Sequence, residues 1–220
     1  MKTSNYIIIA FFTFLFGSVL MLFVAAKFQP KDQLISVNKA LEPFSVVIAE
    51  PGAGFTLKFG DPKIFSFSSK DSCFLPKFDV HNDTLIIFPY TDKNIKQDIE
   101  IFGRNIHEIQ GKENSQITVQ GGSGNSLSIN LNKAMFSYYE NTSGVKGSIV
   151  KLFARESDVK INSASFGKLE VQLIQTKIDA WNNSIESISG TIKNKSQVYA
   201  RVLKNINLEA DSTSEFRIHK

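Results

Sequence analysis

The stretch that decides the fold includes residues 150–180, VKLFARESDVKINSASFGKLEVQLIQTKIDA, in which alternating apolar positions recur in phase. A triplet of alternating apolar residues begins at Val150 and again at Leu169, and each triplet is followed by a second alternating pair. Period-two alternation is typical of a β-strand with one buried face. Each unit therefore predicts two short strands that present apolar side chains on one side.

The same unit recurs on both sides of this stretch. Triplets whose first positions are 23, 19, 19 and 18 residues apart begin at Leu127, Val150, Leu169, Ile188 and Ile206. The second pairs of the last four units are Val159 and Ile161, Ile178 and Ala180, Val198 and Ala200, and Phe216 and Ile218. An earlier unit is predicted near Ile106, with Ile117 and Val119 as its second pair. Because two strands cannot close a core alone, repeats that stack on their equivalents predict a parallel β-solenoid.

Turn-forming residues lie between the strands of these repeats. They are Asn162-Ser163, Asn182-Asn183-Ser184, Lys193-Asn194-Lys195-Ser196 and Asp211-Ser212-Thr213-Ser214. Such residues suit the corners of a solenoid, where left-handed backbone conformations recur. An antiparallel sandwich with strands every 8 to 12 residues or so fits the same turn spacing, but the in-phase recurrence of a two-strand unit favours the solenoid.

The chain upstream of the repeats is also β-rich. Short β-branched and aromatic stretches predict strands at Ser45–Ile48, Phe55–Phe59, Ile64–Phe67 and Thr84–Phe88. Their connectors carry Gly, Pro, Asn and Asp, which turns require. Residues 44–220 are therefore predicted to form one all-β domain.

The amino-terminal region differs in character from this domain. Residues 6–26, YIIIAFFTFLFGSVLMLFVAA, form a run of 21 residues without a charge, which as a helix spans roughly 31 Å and so one hydrocarbon core. The run predicts a transmembrane anchor, preceded by a short tail at 1–5 and followed by a linker at 27–43. A cleaved signal peptide is the alternative, because Lys2 and Val24–Ala26 would suit one, but the run is long for a signal.

The side of the membrane is predicted from the domain type. Lys27, Lys31 and Lys39 follow the apolar run, and the positive-inside rule would place them in the cytoplasm, whereas long domains cross largely regardless of flanking charge. We expect a single-pass protein of the cell membrane whose domain lies on the exported, periplasmic or extracellular side. A cytoplasmic domain would instead favour a membrane-tethered sensor or partner-recruiting role.

One segment carries a resemblance to a known family. Asn82-Asp83-Thr84-Leu85-Ile86-Ile87 is similar to the N-G-T-L-x-I element of the head GIN domain family of bacterial cell-envelope proteins, with Asp83 where that family has Gly. Gly121-Gly122-Ser123-Gly124 keeps the Gly- and Ser-rich turns of the same family, also called the autotransporter adhesin head domain. The resemblance covers roughly Phe44 to Lys220. It implies an exported, anchored, right-handed parallel β-helix of no established activity.

The chemistry-bearing residues indicate a non-catalytic protein. The formal net charge is +4 and the basic residues are scattered, so no nucleic-acid partner is expected. His81, His107 and His219 lie near no nucleophile motif, and no cluster has metal-ligand spacing. We therefore predict no catalytic, cofactor-binding or metal-binding residues, and a binding, adhesion or structural role.

The alternative function is that of an envelope polysaccharide lyase or hydrolase on a β-helix scaffold. Such an enzyme needs acidic residues on successive coils. The equivalent outward positions of the repeats are Lys160, Asp179, Tyr199 and Arg217, which include a single carboxylate. This mixed column favours the non-catalytic role.

A neighbouring outward column predicts a binding face. Asn162, Trp181, Arg201 and His219 fall at matching offsets, so successive members would lie about 4.8 Å apart. An indole beside a guanidinium can form a cation–π pair and hold a sugar ring or an acidic glycan. The predicted glycan or protein face consists of Trp181, Arg201, Asn162 and Tyr199, and its alternative is an ordinary solvated sheet face.

The last recognisable coil predicts a second contact surface. Phe216 and Ile218 belong to this coil, whose strand edge could stack on another copy of the chain. Such stacking would produce end-to-end self-association. The alternative is that Arg217, His219 and Lys220 keep the edge monomeric.

Overall fold

The structure, a computed structural model, describes residues 11–21, 35–68, 74–90, 98–121, 126–139 and 148–219. The chain divides into two compact units, Met1–Leu34 and Ile35–Lys220. Residues 11–21 of the first unit are helical, and no helix among the described residues is long and apolar enough to cross a membrane. The predicted tail, both ends of the predicted anchor and the first part of the predicted linker lie outside the described residues.

The second unit is built entirely from strands in its described part. In chain order they are β1 (Ile35–Ala40), β2 (Val46–Ala49), β3 (Gly54–Phe59), β4 (Lys63–Ser68), β5 (Phe78–His81), β6 (Thr84–Ile87), β7 (Asp98–Gly103), β8 (Glu108–Gly111), β9 (Gln116–Gln120), β10 (Leu127–Asn132), β11 (Met135–Tyr139), β12 (Ile149–Arg155), β13 (Asp158–Asn162), β14 (Ser165–Ile174), β15 (Lys177–Lys193), β16 (Gln197–Ala210) and β17 (Glu215–His219).

Parallel pairing between strands one coil apart produces a β-solenoid. One side of the coils runs β6, β2, β8, β10, β12, β14 and then the carboxyl-terminal parts of β15 and β16. The other side runs β7, β3, β9, β11, β13, the amino-terminal parts of β15 and β16, and β17. The predicted solenoid is confirmed, and the sandwich alternative is wrong.

The predicted repeat defines the register of this stack. Leu127 pairs with Val150, Val150 with Leu169, and Leu169 with Ile188. The first four of these triplets point into the core, where all members except Gly190 are at most 4% exposed. Burial of one Leu or Ile side chain stabilises a fold by about 1.5–3 kcal/mol, so the merged interior columns hold the coils together.

The order of coils along the stack differs from their order along the chain. The coil of β2 and β3 lies between that of β6 and β7 and that of β8 and β9. Antiparallel pairs join β1 to β4, β4 to β7, and β5 to β6. The first of these strands, Ile35–Ala40, falls within residues 27–43, which the sequence assigned to a linker. The alternation of Ile35 and Val37 over so few residues is too short to distinguish an edge strand from an extended linker.

One corner of the coils carries a ladder of hydroxyl groups. Ser157 Oγ accepts the backbone N–H of Ala134 at 3.1 Å, and Thr176 Oγ1 accepts that of Ser157 at 3.3 Å. The next rungs repeat this contact, because Thr176 N–H donates to Ser196 Oγ at 3.1 Å and Ser196 N–H donates to Ser214 Oγ at 3.2 Å. Each coil therefore satisfies a corner amide of the coil before it. We call this line of contacts the hydroxyl ladder.

We expect Ser196→Ala to lower the free energy of unfolding by about 1–3 kcal/mol, because it leaves a buried amide without its acceptor. Ser196 is fully buried, and its hydroxyl also donates to the Lys193 carbonyl at 2.6 Å. The matched control is Ser115→Ala: Ser115 is equally buried, but its Oγ has no hydrogen-bond partner among the described residues. Denaturant unfolding of the two variants checks the prediction, and an equal loss in both would contradict it.

The last coil is partly open to solvent. Ile206 and Phe216 occupy interior positions of the repeat, yet they are 39% and 43% exposed. Its turn is fixed by Asp211, whose carboxylate accepts the backbone N–H groups of Asn194 and Thr213. The hydrogen bond from Asn194, followed by that from Ser214, lowers the pKa of Asp211 to about 2. This carboxylate is therefore ionised at neutral pH and holds the turn.

Candidate functional site

The candidate site lies where β15 bends between the two sides of the solenoid. The bend is fixed by Asn183, which is 3% exposed. Its Nδ2 donates to the Ile161 carbonyl at 2.5 Å, and its Oδ1 accepts the Ala164 N–H at 2.8 Å. A buried amide that pairs two backbone groups of the preceding coil holds the corner rigidly. The neighbouring side chains of Trp181 and Asn182 are exposed.

Three of the predicted column residues meet at this bend. Arg201 pairs with His219 in the register of β16 and β17. The Trp181 indole lies edge-on to the His219 imidazole, with ring centroids 5.8 Å apart and an interplanar angle of 65°. Trp181 remains 46% exposed. An aromatic pair in this arrangement is a stable platform with an accessible apolar face.

An open cavity of about 520 Å³ lies over this platform. Its lining consists of Trp181, Asn182, Asn183, Ser184, Arg201 and His219. The lining contains amides, a hydroxyl, an imidazole and a guanidinium, but no carboxylate. We refer to it below as the Trp181 cavity.

The charge of the Trp181 cavity comes from Arg201. Among the residues that the structure describes, no carboxylate forms an ion pair with this guanidinium. Asp179, two residues before Trp181 on β15, uses its Oδ1 to accept the Trp181 N–H at 3.4 Å and does not line the cavity. A guanidinium that no described carboxylate neutralises suits a carboxylate or sulfate group of a ligand.

The other two predicted site residues lie elsewhere. Asn162 is half-buried on β13 and pairs with Tyr139. Pairing of β13 with β15 ends at Lys160 and Asp179, so Asn162 does not continue the column to Trp181. Tyr199 lies in the predicted mixed column, where its ring faces Arg217 at 5.7 Å and Lys177 at 5.9 Å. Neither residue lines the Trp181 cavity.

A cation–π pair between Trp181 and Arg201, which the sequence allows, is not found in the described part of the chain, where the Trp181 indole contacts His219. The reason is an irregularity in the pairing of β15 with β16, where the register shifts between Ala180 and Ile185. The shift also brings Asn182 and Ser184 into the lining, which the sequence analysis assigned to a corner only. The sequence signal for them was the run Asn182-Asn183-Ser184 directly after an exposed tryptophan.

Comparison with known proteins identifies relatives of the fold. No protein-family model matches the chain. No curated protein matches its sequence. The chain is similar to a solved "putative adhesin" from Bacteroides fragilis NCTC 9343, with 13% identity and a TM-score of 0.55 over 86% of this chain and 98% of that one. It is also similar to a "putative adhesin" from Parabacteroides merdae ATCC 43184, with 9% identity and a TM-score of 0.50 over 85% and 96% of the two chains.

At these identities the likeness establishes the β-solenoid fold and nothing further. The class of protein defined here is therefore an all-β solenoid with an open polar and aromatic cavity at one corner. Membership of the head GIN domain family, and the right-handed winding that it implies, remain predictions from the resemblance of residues 82–87 and 121–124. Residues 122–124 of the second motif lie outside the described residues.

Proposed function

We propose that this protein is a non-catalytic binding and adhesion domain of the bacterial cell envelope, and that the Trp181 cavity binds an acidic glycan. The observation that carries the proposal is one open cavity lined by both the exposed indole of Trp181 and the Arg201 guanidinium, at a bend that Asn183 fixes. A sugar ring stacks on the free face of the indole, and its acidic group pairs with the guanidinium. The names of the two similar solenoids support an adhesive role.

The absence of carboxylates from the cavity lining supports the non-catalytic part of the proposal. Glycoside hydrolysis requires a pair of carboxyl groups that flank the scissile bond. The described residues also contain no group of three His, Cys, Asp or Glu side chains that could hold a metal ion. The lining of the Trp181 cavity therefore lacks the carboxyl pair that most glycoside hydrolases use.

We expect Trp181→Ala to weaken binding of acidic glycans at least about tenfold, because it removes the stacking surface at the centre of the site. The measurement is binding of the full chain to immobilised polygalacturonate and hyaluronan. Arg201→Gln should weaken the same binding and reduce its dependence on salt. Tyr139→Ala is the matched control, since Tyr139 is an exposed aromatic on β11, 38% accessible, outside the cavity.

Two results would overturn this assignment. The first is a wild-type chain that binds no acidic glycan. The second is binding that survives Trp181→Ala or falls equally in Tyr139→Ala. Thermal unfolding of each variant shows whether a loss reflects the site or the fold.

The location and assembly of the protein are also part of the proposal. Residues 6–26 would hold the domain on the exported side of the cell membrane, and protease treatment of intact cells carrying a tag after Lys220 tests this placement.

Exposed Leu203, Ile206 and Phe216 support stacking of two copies through the last coil. A strictly monomeric chain in sedimentation at high concentration would exclude such stacking.

A further inference from the structure

A second exposed surface lies on the side of the solenoid that contains β10, β12 and β14. Phe153 of β12 is 38% exposed and Ile174 of β14 is 40% exposed. Both line an open groove of about 460 Å³. We call it the Phe153 groove, and it shares no lining residue with the Trp181 cavity.

The groove follows a column of side chains across successive coils. Phe153 pairs with Asn130 on one side and with Gln172 on the other. Asn130 pairs with Gln110, and Gln172 pairs with Thr191. Neighbouring parallel strands are about 4.8 Å apart, so the column extends about 19 Å. One aromatic ring thus lies in the middle of a row of neutral amide and hydroxyl groups.

Two of these amides are held in place. Gln110 Nε2 donates to Glu108 Oε1 at 2.9 Å, and Asn130 Nδ2 donates to the same oxygen at 3.0 Å. Their NH₂ groups are oriented by this carboxylate, which also orients the amide oxygens. Fixed neutral amides form directional hydrogen bonds with hydroxyl groups at little entropic cost.

The charges at the rim of the groove are largely neutralised within the protein. Lys112 pairs with Glu50, and Arg155 pairs with Glu156 at 3.2 Å. Lys193, in the coil of β15 at one end of the groove, has no carboxylate partner in the described ranges. The groove therefore offers neutral hydrogen-bonding groups around an apolar floor. The column of Gln110, Asn130, Phe153, Gln172 and Thr191 itself carries no charge, whereas the Arg201 guanidinium is part of the short lining of the Trp181 cavity.

We propose that the Phe153 groove is a second binding site, and that its ligand is a neutral polysaccharide chain. Sugar hydroxyls pair with the amides of Gln110, Asn130 and Gln172, and the apolar face of a sugar ring packs on Phe153. The extended column accommodates several sugar units in line. The proposal depends on a different side of the solenoid from the proposed function, and either can fail alone.

Phe153→Ala tests the proposal in binding of the full chain to neutral oligosaccharides of β-glucan, xylan and mannan. We expect affinity for the recognised sugar to fall at least about tenfold. Ile149→Ala is the matched control, because Ile149 lies on the same strand with the same 38% exposure but does not line the groove. Trp181→Ala should leave neutral binding unchanged.

Each other result overturns the proposal. If the wild-type chain binds no neutral oligosaccharide, the proposed ligand is wrong. If binding survives Phe153→Ala, the proposed site is wrong. If Phe153→Ala abolishes binding of polygalacturonate but not of neutral sugars, the neutral assignment is wrong. If it abolishes self-association in sedimentation instead, the groove is an interface between copies of this chain.

Discussion

Gly190→Ala is expected to lower the free energy of unfolding by more than about 4 kcal/mol, a loss comparable with the whole stability of many domains. Gly190 pairs with Val171 of the coil before and with Leu208 of the coil after. Its backbone has φ +134°, a region that L-residues rarely adopt. A Cβ at this position would lie 1.8 Å from the Val171 carbonyl oxygen. Because that neighbour is backbone, no change of side-chain rotamer relieves the overlap, and β14 and β15 must separate.

The measurement is denaturant unfolding together with hydrogen exchange of the β14 and β15 amides. Gly54→Ala is the control, because a Cβ there would have its nearest neighbour at 3.7 Å, an ordinary contact. We expect this variant to unfold within about 1 kcal/mol of the wild type. A Gly190→Ala protein with wild-type stability would show that the two strands do not approach each other as described.

Asn183→Ala should lower the free energy of unfolding by about 2–4 kcal/mol. The substitution removes the partners of the Ile161 carbonyl and the Ala164 N–H, which are both buried, and each unpaired group costs roughly 1–3 kcal/mol. The loss is local, so the Ala164 amide should exchange faster while amides of β10 keep their protection. Asn182→Ala, an exposed neighbour on the same bend, should be nearly neutral.

The same variant connects stability with binding. If Asn183 fixes the bend that presents Trp181, then Asn183→Ala should also weaken acidic glycan binding, whereas Ser196→Ala, which acts at a different corner, should not. Unchanged protection of Ala164 in Asn183→Ala would show that the side chain does not hold the corner.

The repeating part of the fold could be predicted from the sequence, because the apolar residues of each repeat recur at recognisable positions. The triplets that begin at Leu127, Val150, Leu169 and Ile188 are in register in the structure, as are Val159, Ile178 and Val198, the first residues of the second pairs. The earlier unit near Ile106 is confirmed as well, since Ile117 and Val119 are buried on β9. The alternation of apolar residues identifies the inward face of each strand, and the constant spacing of the repeats identifies the strand with which it pairs.

The amino-terminal half could not be predicted in the same way. Its strands β2, β3, β4 and β6 fall at or near the predicted positions, but nothing in their residues indicates that β2 lies between β6 and β8. That arrangement depends on contacts between segments far apart in sequence. Several left-handed corners were also missed, because they are formed by Lys133, Glu156 and Gln175 and not by Gly or Asn. Coil-to-coil hydrogen bonds impose this conformation against local preference.

Only part of the candidate site could be predicted, because the regular spacing of the repeats does not hold throughout it. Matching offsets place Arg201 beside His219, and this pairing is found. The same offsets do not predict the position of the Trp181 side chain, because the register between β15 and β16 shifts after Ala180. Periodicity predicts regular columns, whereas a binding surface here arises where the column is interrupted.

The hydroxyl ladder has a consequence for how such a chain can change in length. Ser157, Thr176, Ser196 and Ser214 give each of the four successive layers to which they belong a hydroxyl that accepts a corner amide of the layer before it. A gene segment encoding one layer could be duplicated or lost there without leaving an amide unmatched at the junction. The molecule can thus become taller or shorter in uniform steps, and selection on its height can proceed separately from selection on the side chains that it displays.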